Sequence, residues 1–190
     1  MKICFWVSHI NTVGGVQRVT ALIANELIKY HQVTILSNDK VDTKQKNIYG
    51  VSDSVHIIEQ PEYLDVFGTL PKINKIIKRI NKKTGILNKK STFKIADKIY
   101  FPYKKRKQAA AFFNEFNFDV IIGVQGYNSL ALAMITDDLN SKTIGWQHNS
   151  FRAYFRNKDQ YYWNQDVLFA HYLKKLDNYI VLNDCLERKR

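Results

Sequence analysis

Short, continuous apolar runs, separated by helical or polar stretches, recur along the whole chain. This alternation limits the fold more than any other feature. The runs are "KICFWV" (Lys2 to Val7), "QVTILS" (Gln32 to Ser37), "VHIIE" (Val55 to Glu59), "FDVIIGV" (Phe118 to Val124), "KTIGWQ" (Lys142 to Gln147) and "NYIVLN" (Asn178 to Asn183). Runs of this length without polar alternation mark strands buried on both faces, as in parallel sheets. Between them the period changes. Val16, Val19, Ile23 and Leu27 make one stripe over Val16 to Tyr30. "LPKINKIIKRIN" carries Ile73, Ile76, Ile77 and Ile80 on one side, with Pro71 in the first turn where proline is favoured. Gly85 and Asn88 interrupt that pattern, and a second helical stretch covers much of Thr92 to Phe116 with a break at Pro102. Asn128 to Ile135 and Asp159 to Lys175 read as further helices. Strands alternating with helices predict an α/β fold: a Rossmann-like parallel sheet with right-handed crossovers and helices on both faces.

The chain has 190 residues, enough to bury a core without disulfides or metals. Its two cysteines are Cys4, inside the first apolar run, and Cys185. Neither belongs to a Cys-x-x-Cys or Cys/His cluster, so no structural zinc site is expected. The opening "MKICFWVSHI" turns polar too soon for a signal peptide, and no run approaches the length of a membrane span. The expected place is the cytoplasm, with the inner face of the plasma membrane as the surface within reach.

Between Lys72 and Lys107 every charged residue except Asp97 is a lysine or arginine, which leaves the rest of the chain close to neutral although the net charge is +12. Such a patch attracts polyanions.

At the first strand–helix junction the sequence is "FWVSHINTVGGVQRV". The first N–H groups of a helix have no internal partners and lie at the positive end of its dipole. Glycines admit a phosphate to that backbone, and the turn falls at the carboxyl edge of the sheet, where ligands bind. Gly14, Gly15 and Val16 are therefore candidates to hold an anion. A plain tight turn is the competing reading. Neither a Gly-x-Gly-x-x-Gly fingerprint nor a P-loop is present.

"VGGVQRVTALIANELIKYHQVTILS" resembles the opening of the N-terminal domain of retaining GT-B glycosyltransferases of the large family 4 group. The matching pieces are Gly14, Gly15, Arg18, "IANEL" (Ile23 to Leu27) and "VTIL" (Val33 to Leu36). "DVIIGVQGYNSLALA", "KTIGWQHNSFRAYF" and "LDNYIVLND" look like later strands of the same domain. The resemblance spans most of the chain, but 50–116 carries no specific motif.

The resemblance implies the N-terminal, acceptor-side half of a GT-B fold over 1–183, with a basic helical segment at about 70–116. Residues 184–190 would then begin a linker to a C-terminal donor-binding domain. It implies sugar transfer with retention from a UDP- or GDP-linked donor to a glycan or lipid-linked acceptor, in cell-surface polysaccharide biosynthesis, with no metal and no cofactor. The family's Glu-x7-Glu element belongs to that second domain, and no pair among Glu26, Glu59, Glu62, Glu115 and Glu187 has its spacing. Activity is therefore expected of a longer protein.

The same resemblance makes His148, after the fifth apolar run, the candidate catalytic residue. A histidine there contacts the transferred sugar in related enzymes. Gly14, Gly15, Val16 and Arg18 face the donor diphosphate and the acceptor. Asn11, Gln125, Asn128 and Asn149 follow strand ends, and amides both donate to and accept from sugar hydroxyls. Turn chemistry explains the same residue types locally, and Asn149 or Ser150 also reads as a helix cap.

Phe151, Tyr154, Phe155, Tyr161, Tyr162 and Trp163 cluster around Arg152 and Arg156, and core packing is their first reading. The basic segment suits an anionic membrane surface, with a solvated face as the plain alternative. No nucleic-acid motif is present, and no nucleic-acid partner is expected. Two rival functions stay open: a non-catalytic sugar- or nucleotide-binding module, and a basic nucleic-acid-associated Rossmann protein.

Overall fold

The computed structural model describes residues 1–38, 47–59 and 71–182. Along the chain these form β1 (Lys2–Val7), α1 (Gly15–Leu27), β2 (Gln32–Ser37), β3 (His56–Glu59), α2 (Lys72–Thr84), α3 (Phe93–Tyr100), α4 (Tyr103–Phe116), β4 (Val120–Val124), α5 (Gly126–Ile135), β5 (Lys142–Trp146), α6 (Phe151–Phe155), α7 (Asp166–Tyr172) and β6 (Asn178–Ile180). The strands make a six-stranded sheet in the order β3-β2-β1-β4-β5-β6. Every neighbouring pair is parallel. The expected α/β architecture, with a Rossmann-like parallel sheet between helices, is therefore present. The switch in strand order lies between β1 and β4.

Strand register puts Ile58, Leu36, Trp6, Gly123, Gly145 and Tyr179 in one row across the sheet. One residue further on, every strand ends at the same edge. Alternation along β1 divides the core. Ile3, Phe5 and Val7 point to the face covered by α1, together with Val33, Ile35, Val124 and Trp146. Cys4 and Trp6 point to the other face, where Ile121 packs with α3, α4, α5 and α7. Burial pushes the Cys4 thiol far above its usual range, so it is an inert core residue.

Strand positions agree with the sequence pattern, but two helix faces do not. In α1 the buried residues are Thr20, Ala21 and Ala24, whereas Val19 and Ile23 are each 36% exposed. Small side chains let this helix lie close to β1 and β2, and the larger apolar ones fall at the margin. In α2 only Ile77 of the predicted isoleucine stripe packs on the core: Ile73, Ile76 and Ile80 are exposed, and the one buried residue is Asn81. Its amide donates to the Tyr100 hydroxyl at 3.2 Å and to the Asn164 carbonyl at 3.1 Å, and its oxygen accepts from Leu87 N at 2.8 Å. Asn74 donates to the Ile99 carbonyl at 3.2 Å. Polar anchors thus hold α2 to the body.

The break at Pro102 is as expected. Arg106 secures it, donating from Nε to the Phe101 carbonyl at 2.7 Å and from Nη2 to the Asp97 carbonyl at 3.1 Å. It also pairs with the Asp97 carboxylate. The last long helical stretch is shorter than the sequence suggests, because 159–165 forms turns and α7 begins at Asp166. β6 likewise ends at Ile180. Asn183, Cys185 and the linker reading at 184–190 lie outside the described residues, as do Glu62 and Leu70.

Candidate functional site

The carboxyl ends of β1, β4 and β5 bring together most of the residues named from the sequence. β4 alone separates β1 from β5, so the loops after them stand about 10 Å apart on one edge. Trp146 fixes which face His148 uses. Its indole packs near Phe5, with ring centroids 6.4 Å apart, in the cluster that includes Ala21 and Ala24 of α1. The His148 imidazole lies on that indole at 4.4 Å. Imidazole and α1 therefore sit on the same side of the same edge.

Two features of the Gly14–Gly15 turn are unusual. Gly14 has a φ of 177° and a ψ of 158°, an extended backbone any residue adopts. A Cβ on Gly15 would meet nothing within 4 Å, and one on Gly14 would meet only the movable end of Gln17. The fold thus requires glycine at neither position. No side chain caps α1, and its first intrahelical bond is Arg18 N to the Gly14 carbonyl at 3.1 Å. The Gly15, Val16 and Gln17 amides begin the helix at the positive end of its dipole, without intrahelical partners. Gly14 N is already engaged, donating to the Tyr49 hydroxyl at 2.7 Å. Arg18 is exposed one turn into the helix.

His148 is half-buried, and its Nε2 is fully buried with no hydrogen-bond partner among the described residues. Desolvation lowers its pKa, so the imidazole is neutral at physiological pH and either donates or accepts. The Tyr154 hydroxyl lies against the Asn149 side chain and the main chain at His148 and Gly126, which partly offset the rise in its pKa that burial causes. An unpaired buried atom such as His148 Nε2 costs free energy, and a ligand hydroxyl would relieve it. Ser150, not Asn149, caps α6, accepting from Ala153 N at 3.2 Å.

The remaining candidates divide. Gln125 sits on the edge at the start of α5, with a φ of 73° and a ψ of 169°, a region that only glycine adopts freely. Asn128 is 2% exposed, and its amide donates to the carbonyls of Trp6 at 3.1 Å and Val124 at 3.0 Å. It joins β1 to β4 and is held away from ligand. Asn11 is tied to Glu59, donating to its carboxylate at 3.0 Å. Both line a depression of about 320 Å³ at the β3 end of the edge. A larger hollow of about 460 Å³, lined by Met1, Tyr30, Gln32 and Asp119, lies at the opposite edge of the sheet. Tyr49 and Glu59 were not among the residues expected to shape the site. Glu59 closes a strand and was open to the same argument as Asn11. Tyr49 has no local signal at all.

Among the described residues no three His, Cys, Asp or Glu side chains group as metal ligands, and no helix is long and apolar enough to cross a membrane. Compared with protein-family models and with curated proteins, the chain matches none.

Proposed function

We propose that this chain forms the acceptor-side wall of a retaining, nucleotide-sugar-dependent glycosyltransferase that extends a glycan or a lipid-linked acceptor. The observation that carries this reading is the pair of glycines at 14 and 15, which the fold does not need; the second of them leaves open space at the start of α1 for an incoming group. The buried, unpaired Nε2 of His148, across one strand on the same side, is the second support. In this reading the amides of Gly15 and Val16 and the Arg18 guanidinium stabilise charge on the departing diphosphate. Such electrostatic stabilisation lowers the barrier to transfer more than any other single effect. His148 hydrogen-bonds the sugar being transferred. The acceptor hydroxyl attacks the anomeric carbon from the face that the diphosphate leaves, the glycosidic bond forms as the sugar–phosphate bond breaks, and the hydroxyl proton passes to the departing phosphate oxygen. A second domain supplies the rest of the donor site.

The test uses inorganic pyrophosphate and UDP as probes in a titration followed by amide and imidazole chemical shifts. Shifts at Gly15, Val16, Gln17 and His148 are expected, at millimolar concentration because only one wall is present. Gly15→Ala is expected to raise stability by about 0.5 kcal/mol, since it removes unfolded-state freedom and meets no clash. It should nevertheless abolish those shifts. If Gly15→Ala binds pyrophosphate as the parent does, the reading fails. Sugar transfer measured with and without an added C-terminal donor domain separates an enzyme from a non-catalytic binding module.

A further inference from the structure

The geometry points to α2 as an interfacial helix that docks the protein on an anionic lipid surface. The outward row of α2 is apolar: Ile73 is 59%, Ile76 54% and Ile80 48% exposed. These positions are three and four residues apart, so they stand one above another on a single side of the helix. Lys72, Lys75, Arg79 and Lys83 make a cationic row alongside it, and α2 contains no acid. The nearest acids in sequence among the described residues, Glu59 and Asp97, are engaged by Asn11 and Arg106. Ile77, at the border of the row, packs on the core, and Asn74 and Asn81 beyond it hold the helix to the protein.

A solvated face has no use for three aligned isoleucines, because exposed apolar residues that serve nothing are scattered singly. Nucleic acid would answer the cations but offers nothing to the isoleucines. A bilayer rich in acidic headgroups answers both: the apolar row enters the headgroup boundary and the lysine and arginine stems reach outward to phosphate. The helix also adjoins the site. Asn164, in the segment leading from the β5 edge towards α7, donates to the Lys82 carbonyl at 3.1 Å, so the end of α2 is fastened to that segment. The exposure and charge of α2 carry this inference, and it does not depend on the sugar-transfer reading.

The test is flotation of the 190-residue chain with vesicles of phosphatidylcholine alone and of phosphatidylcholine mixed with phosphatidylglycerol. Binding to the mixed vesicles only is expected. K72E/K75E/R79E should weaken it at least ~100-fold, since each surface cation contributes about 5-fold. I73S/I76S/I80S should weaken it about 10-fold with the charge untouched. These side chains face away from the core, so circular dichroism should match the parent. Ile76→Trp should give a blue-shifted emission on mixed vesicles and none with double-stranded DNA. No binding to the mixed vesicles, binding indifferent to the isoleucine substitutions, or an unshifted Ile76→Trp overturns the inference. Pyrophosphate binding at the α1 turn is read separately, so either result stands without the other.

Discussion

Two strand–turn–helix junctions stand side by side at the same edge, and they are built for opposite ends. At the β1–α1 junction the backbone is relaxed and the space above Gly15 is open. At the β4–α5 junction the backbone is strained at Gln125, and the space above Gly126 is filled. A Cβ on Gly126 would lie 2.1 Å from the Tyr162 ring. The Tyr162 hydroxyl also accepts from Tyr127 N at 3.2 Å, taking an amide that an anion would otherwise use. Glycine at 126 admits a neighbour from within the fold, whereas glycine at 15 admits nothing the described structure contains. A glycine at a helix start indicates a ligand only when the protein itself does not occupy the gap.

The largest expected effect tests the closed junction. Gly126→Ala should destabilise by about 3 kcal/mol, because Tyr162 is a packed core residue and cannot step aside. For a domain of this size that lowers Tm by roughly 6 to 12 °C in a thermal melt. A Tm within a degree of the parent would mean that Tyr162 does not seal this helix start, and the contrast with Gly15 would lose its basis.

Gln125 gives the next largest effect, of opposite sign. Its dihedral angles belong to a region that costs a non-glycine residue on the order of 1–3 kcal/mol, and its N–H is fixed on the Trp146 carbonyl at 2.9 Å, so β5 holds it there. Gln125→Gly relieves the strain and adds freedom to the unfolded chain, for a net gain of about 1 kcal/mol. Chemical denaturation measures it. If the sugar-transfer reading holds, the same change weakens nucleotide-sugar recognition, since strain retained at a ligand edge is tolerated for the side chain it positions. A loss of stability would show instead that Gln125 is locally comfortable, and both junctions would then be unstrained.

How much of this was legible in the sequence depends on where each residue finds its partners. Strands in a parallel sheet are apolar on both sides, so "KICFWV" and "VIIGV" declare themselves without knowledge of the neighbours. Gly14 and Gly15 lie in the turn after the first such strand and His148 just after the fifth, and strand order then places them on one edge. Helix faces are harder, because the side that turns inward is chosen by the surface it meets. Ala21 and Ala24 are less hydrophobic than Val19 and Ile23, yet only the small pair fits against β1 and β2. Asn81 shows the same limit. It is a poor core residue by type, and its partners Tyr100 and Asn164 lie 19 and 83 positions away. Asn128 looked like an edge amide because helix α5 was expected to begin at it, two residues later than it does. Tyr49 is 35 positions from the Gly14 amide it fixes, and no local pattern reports that contact.

The smallest effect concerns His148, beside both junctions. Burial disfavours its charged form, so its imidazole should titrate below the ordinary value of 6.5. The unfolded chain binds that proton more readily. Stability contributed by the neutral ring is therefore complete above about pH 6.5 and is lost as pH falls towards the lower folded value. His148→Asn should flatten that acid limb of the stability profile. Pyrophosphate separates the two junctions further. An anion held at the open start of α1, one strand away, favours the imidazolium and should move the His148 midpoint upward in a proton NMR titration. The parent with added pyrophosphate should show that rise, and Gly15→Ala should not. A midpoint indifferent to pyrophosphate in both would mean that the open junction and the imidazole do not share one site, however close the topology brings them.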